Sequence, residues 1–196
     1  MKQWKFAAAL GAIGLTLSAC TTIADAPAGA YKVGTAYEIT LGGEWSDISK
    51  VMTGRPAYVH LLSIDGPLLD RLYLSEGLAS GEFLVKPAAK DKPTPTYRSG
   101  MSPNDLVEFL SDSVTALDFE RVTTSSLRPA RFAGADGLRF EIAAKTRDGL
   151  YMSGTALLAE KGGKLYVMLY LAPTEHYYGV HLSEVEAIMG SARQGA

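Results

Sequence analysis

The sequence predicts an α+β domain, a mostly antiparallel sheet covered by helices, and three observations carry that expectation. The C-terminal half alternates apolar and polar side chains between short glycine turns, the mark of a meander of strands. Two other stretches, Leu106 to Leu117 and Leu182 to Met189, repeat apolar side chains at the three-and-four spacing of a helix with one buried face. Leu165 to Leu171 is apolar on both faces, as expected of a central strand covered from two sides.

The elements follow in order. Tyr37, Ile39 and Leu41 fall on one face of a short strand that ends at Gly42-Gly43, and Trp45 just beyond is placed to plug the end of the core. Ala57 to Leu62 reads as a strand and Ile64-Asp65-Gly66-Pro67 as a turn. Leu69 to Leu74 and Gly81 to Val85 are two further strand candidates. Residues 86–97 carry three prolines and three lysines, a composition that suits neither a central strand nor a stable helix, and read as a projecting loop.

Ser102-Pro103-Asn104-Asp105 then supplies a cap, a proline at the first helical position and an acid in the first turn. Leu106, Phe109, Leu110, Val114 and Leu117 form the buried stripe, with Glu108, Ser111 and Asp112 facing out. Phe119 to Leu127 gives a strand, and Leu138, Phe140 and Ile142 alternate with Arg139 and Glu141 in the next. Arg147-Asp148-Gly149 turns the chain into Tyr151 to Ala159, and Gly162-Gly163 turns it again into the apolar run. Pro173-Thr174-Glu175 starts the last helix, with Leu182, Val185, Ile188 and Met189 on its inner side.

Composition narrows the function. The 196 residues carry 19 Lys and Arg against 21 Asp and Glu, a formal charge of −2, whereas a nucleic-acid binder shows a basic surplus. A single cysteine, Cys20, excludes an internal disulfide framework and a four-thiolate zinc site. Part of the 47% hydrophobic content sits at the N-terminus. Lys2 and Lys5 precede an apolar run from Phe6 to Leu17, too short for a span of about 20 residues and of the length of a secretory h-region.

That run ends in Leu17-Ser18-Ala19-Cys20, which resembles the lipobox of bacterial lipoprotein precursors. The resemblance implies a signal peptide over residues 1–19, cleavage before Cys20, and lipid on its thiol and new amine. Thr21 follows, with no Asp at that place to match the inner-membrane retention signal of enteric bacteria, which points to the periplasmic face of an outer membrane. Residues 20–30 then read as the lipidated cysteine and a flexible tether, its ten residues from Thr21 reaching at most about 35 Å. Residues 31–196 form a single globular domain, and loss of Lys2 and Lys5 takes the side-chain charge from −2 to −4.

Several stretches share a layout with a known fold group. They are Leu41-Gly-Gly-Glu-Trp45, the capped middle helix, Asp136-Gly-Leu-Arg-Phe-Glu141, Gly163-Lys-Leu-Tyr166, Tyr170-Leu-Ala-Pro173 and a last helix ending near Ser191-Ala-Arg193. Over about residues 35–193 the chain resembles the group of the photosystem II extrinsic subunit PsbP and the Ran-binding nuclear import factors. The resemblance implies a PsbP-like α/β/α sandwich and a function exercised by binding other proteins; no contact motif of that group is matched.

Catalytic signatures are sparse. His60 shares a strand face with Tyr58 and Leu62 and reads as a satisfied half-buried histidine. His176 and His181 sit five apart, about 140° around a helix, where metal pairs use three or four. Tyr151-Met-Ser153-Gly154 lacks the first glycine of a nucleophile elbow, and neither Gly-Gly pair precedes the helix start a phosphate cradle needs. No catalytic, cofactor or metal residue is assigned. Arg121, Arg128, Arg131, Arg139 and Arg147 interleave with Asp118, Glu120, Asp136, Glu141 and Asp148 and read as a salt-bridged sheet surface.

Two surface features remain as interaction candidates. Lys86, Lys90 and Lys92 make a positive prong on the Pro-rich loop, and Tyr177-Tyr178 stand at the last helix start with the amphipathic bodies that suit interfaces. The expectation is therefore a non-enzymatic envelope lipoprotein, held to the membrane by lipid on Cys20, that serves an envelope protein partner as a binding or assembly module. The alternative is a carrier of a lipid or other apolar ligand at the outer membrane.

Overall fold

A computed structural model describes residues 23–195, so the signal segment and Cys20 lie outside the described residues. The meander is present: β7 (Phe119–Phe132), β8 (Ala135–Thr146), β9 (Tyr151–Lys161) and β10 (Lys164–Pro173) each run antiparallel to the next. Gly162 and Gly163 join the last two with φ of 59° and 74°, the positive pair that a tight two-residue hairpin demands. Beyond β10 the sheet continues through β6 (Arg71–Ser75), β5 (Val59–Ser63), β4 (Trp45–Asp47) and β1 (Ala24–Ala26). The order is β1-β4-β5-β6-β10-β9-β8-β7, with β10 in the interior as its two-sided apolar run requires. A second sheet of three strands sets β3 (Tyr37–Leu41) between β2 (Gly29–Val33) and β11 (Arg193–Gln194).

Two helices complete the fold. α1 (Pro103–Thr115) begins with a reciprocal cap: Asp105 N–H donates to Ser102 Oγ, and Ser102 N–H donates to Asp105 Oδ2 at 3.0 Å. Its Leu106, Phe109, Leu110 and Val114 pack with Phe140, Ile142, Leu158, Leu165 and Val167 on one face of the large sheet. α2 (Tyr177–Gly190) lays Val185, Ile188 and Met189 with Leu72, Leu74, Met168 and Tyr170 on the other. Each such side chain, once fully buried, contributes about 1.5–3 kcal/mol.

Several expectations are corrected. The second face is shared between α2 and the three-stranded sheet, whose Ile39 and Leu41 fill the same core, so helices alone do not cover it. The tether expected through Ala30 ends sooner: Ala24 to Ala26 pair with Asp47 to Trp45, and Gly29 opens β2. Gly81 to Val85 forms no strand; Leu84 and Val85 are buried as irregular chain beneath α1. Pro173 closes β10, and α2 starts at Tyr177 with His176 giving no side-chain cap.

β7 runs to Phe132 rather than stopping at Leu127, and it is bent twice. Register shifts fall between Glu120 and Thr123 and between Ser125 and Arg128, where Arg121 and Ser126 adopt positive φ. Those bulges, with Pro129, blunt an exposed edge strand against pairing with another chain. Four of the five arginines of this surface pair with acids, Arg121 having no ion pair among the described residues: Arg128 with Glu141 at 3.4 Å, Arg131 with Asp136 at 2.8 Å, and Arg147 with Asp118. Arg139 reaches across to Glu186 of α2 at 2.7 Å.

Candidate functional site

The two predicted surface features lie on opposite sides of the large sheet. Lys86, Lys90 and Lys92 are exposed on the loop flanked by Val85 and Tyr97, which are buried on the α1 side. The loop base is fixed by a hydrogen bond from Lys86 N–H to Gly54 O at 2.9 Å, and its tip closes with Lys92 N–H on Ala89 O at 3.1 Å. Tyr177 and Tyr178 pack against the α2-side core instead. Tyr178 stacks on Tyr170 and donates its hydroxyl to Glu141 Oε2 at 2.7 Å. Burial and that carboxylate push the Tyr178 phenol above its usual range. This tyrosine is committed to holding α2 on the sheet. Cys20 lies outside the described residues.

A site that the sequence reading missed sits at the end of the sheet where three turns and the C-terminal residues meet. Residues of four segments, among them Ala36, Ala133, Ala135, Lys161, Lys164 and Gln194, enclose an open groove of about 390 Å³ that Tyr37, Phe132 and Tyr166 also line. Beneath it lie packed aromatic rings: Tyr37 and Phe132, both buried, meet edge to face at 4.9 Å between centroids, and Phe132 and Tyr166 lie 5.6 Å apart. Lys161 and Lys164 stand at its mouth, directly opposite one another in the β9–β10 register. No described acid pairs with either. The Tyr37 hydroxyl is buried and without a hydrogen-bond partner among the described residues.

Alternation hides this groove, because its parts come from four separate segments. The legible signal was Lys161-Gly-Gly-Lys164: a two-residue turn brings its flanking residues face to face, so the lysines oppose each other. Ala133, on the neighbouring turn, holds φ at 46°, a left-handed conformation that costs a residue with a Cβ of order 1–3 kcal/mol.

The histidines are used locally. His60 Nε2 lies 2.8 Å from Glu76 Oε1 and its Nδ1 3.3 Å from the Tyr31 hydroxyl, which itself donates to Asp47 Oδ2 at 2.8 Å. Glu76 fits because Gly34 has no Cβ; one placed there would fall 2.2 Å from its carboxyl carbon. His181 Nε2 lies 2.6 Å from Asp65 Oδ2 and pins α2 to the β5–β6 turn. Among the described residues, no three or more His, Cys, Asp and Glu converge as a metal site, and no helix is long and apolar enough to cross a membrane.

No family model matches the chain, and no curated protein does. Its backbone is similar to the solution structure of cyanobacterial PsbP (CyanoP) from Synechocystis sp. PCC 6803, with a TM-score of 0.55 and 12% identity. The match covers 94% of this chain and 98% of that one. The chain therefore has a PsbP-like fold.

Proposed function

We propose that this chain is a lipid-anchored envelope protein that works as a non-enzymatic binding module for another envelope protein. One observation carries the binding reading: the lysine prong. Lys86, Lys90 and Lys92 project from a loop tied down at both ends by buried Val85 and Tyr97, on a chain of net charge −2. Cations grouped on one projecting loop present a local positive charge that steers and orients an acidic partner. The lipobox-like Leu17 to Cys20 supports the anchor. With Ala24 already paired into the sheet, the four residues Cys20 to Ile23 would leave the lipid at most about 14 Å from the fold.

The test is crosslinking in intact envelope with wild type and a Lys86→Glu, Lys90→Glu, Lys92→Glu variant. A crosslinked partner that is acidic, and whose yield falls at least tenfold in the variant and at high salt, supports the reading. Equal capture by both proteins rejects it.

The second reading, carriage of an apolar ligand, rests on the groove at the rim of the sheet. Both faces of the large sheet are filled by side chains of 0–7% exposure. A ligand of this domain would therefore sit at the rim and not between the layers.

A further inference from the structure

We propose that the end of the sheet carrying Lys161 and Lys164 is a membrane-docking face, drawn onto anionic lipid headgroups by the anchor on Cys20. The inference rests on the anchor reading above and gives the domain an orientation and a lipid partner. Two independent observations carry it, the reach of the tether and the placement of charge.

The tether is shorter than the domain is deep. Ala24 stands level with Asp47, Leu62, Leu72 and Tyr170 across neighbouring strands. The chain running back from Ala24 heads for the Lys164 end of β10, and Lys164 lies six residues from Tyr170, about 20 Å along the strand. Cys20 to Ile23 reach at most about 14 Å. A lipid on Cys20 therefore does not let the domain stand clear of the bilayer. Either this end of the sheet meets the headgroups, or the β1 edge does.

Charge decides between them. The β1 edge exposes Asp25 and, beside it, Glu44, which an anionic surface repels. At the sheet end the acids are already engaged. Glu160 accepts from Ser99 Oγ at 3.1 Å and from Gly100 N–H at 3.0 Å, Asp136 pairs with Arg131, and Glu38 pairs with Arg193. Lys32, Lys161 and Lys164 are exposed there, and none has an ion pair among the described residues. The far end of the sheet also has cations without an ion pair, Arg121 and a Lys145 that lies over the Tyr151 ring. They are offset by Glu120, Asp148 and Glu175, exposed and equally without ion pairs. Spare positive charge thus collects at the end toward which the tether runs. The turns around those lysines, Thr35-Ala36, Ala133-Gly134 and Gly162-Gly163, are built of small residues, so the lysines can reach a flat surface. Lysines held within a Debye length of anionic headgroups are attracted to them.

The experiment reads which end of the domain lies on the bilayer. The full lipidated chain is reconstituted in vesicles of phosphatidylcholine, with or without phosphatidylglycerol, and lipid on Cys20 leaves an introduced cysteine as the sole thiol. A fluorophore is placed at Thr35→Cys, in the turn near Lys32, or at Asp148→Cys, at the far end, and quenched by nitroxide on the headgroups. With phosphatidylglycerol present, the Thr35 probe is expected to be quenched at least threefold more than the Asp148 probe. Lys32→Glu, Lys161→Glu and Lys164→Glu together should at least halve that contrast. A chain that floats with the vesicles at high salt but is quenched equally at both positions overturns the docking face and leaves the anchor standing. So does a contrast unchanged by the charge reversal, and if capture of a protein partner falls in the same variant the lysines belong to that partner. A chain that does not float with phosphatidylcholine vesicles at high salt has no anchor, and overturns both.

Discussion

Asp47 sits where the chain enters the sheet, opposite Ala24 in register, and accepts hydrogen bonds from Ser49 N–H at 2.9 Å and the Tyr31 hydroxyl at 2.8 Å. Burial pushes its carboxyl up, but the bonds from Ser49 and Tyr31 and the nearby His60 outweigh it and hold the group below its ordinary value. A depressed carboxylate stabilises the fold fully above its unfolded pKa, and that contribution is lost as pH falls through the folded value. Thermal midpoints measured from pH 7 down to pH 2 should therefore drop more steeply for wild type below about pH 4 than for Asp47→Asn. The variant should be the less stable of the two at pH 7, and parallel curves would show that Asp47 carries no such linkage. At this scale the sequence was half legible. Trp45 was readable as a plug, and it is 3% exposed. Its partner Glu184, which takes both the indole N–H at 2.9 Å and Gly43 N–H at 3.1 Å, comes from 139 residues away and left no local trace.

Elements with their own internal logic were the ones the sequence announced. α1 carries its cap, its proline and its stripe in consecutive residues, and the hairpins carry their glycines, so each is readable without knowing its neighbours. Ser102→Ala removes the acceptor for Asp105 N–H and should cost about 1 kcal/mol in denaturant unfolding, with an unchanged m-value. A loss below a few tenths would mean that the cap is idle. β3 was readable from its alternation, but β1 and β11 were not, for the opposite reason. Two or three residues show no period, and their partners are remote: Ala24 pairs with Asp47, and Arg193 with Glu38. The same distance in sequence conceals the groove, whose lining joins Tyr37, Phe132 and Tyr166. The surroundings of Tyr177-Tyr178 were not legible, because a tyrosine at a helix start looks alike whether it faces solvent or, as Tyr178 does, a carboxylate of its own sheet.

For the whole molecule, the layers separate the candidate surfaces. The lysine prong belongs to the α1 side, while the groove opens at the turn end of the sheet beside the three-stranded sheet. Topology adds an orientation. Ala24 lies opposite Asp47, Asp47 opposite Leu62, and Val59 opposite Ser75, so the chain running back from Ala26 to Ala24 heads toward the end of the sheet that carries Lys161 and Lys164. A lipid on Cys20 would accordingly hold that end close to the membrane. The measurement that bears most directly on this arrangement is the partition of the full chain between membrane and soluble fractions, compared with a Cys20→Ser variant. Wild type is expected in the membrane fraction, released by detergent but not by salt, with the variant recovered soluble; a Cys20→Ser protein that still sediments with membranes would contradict it.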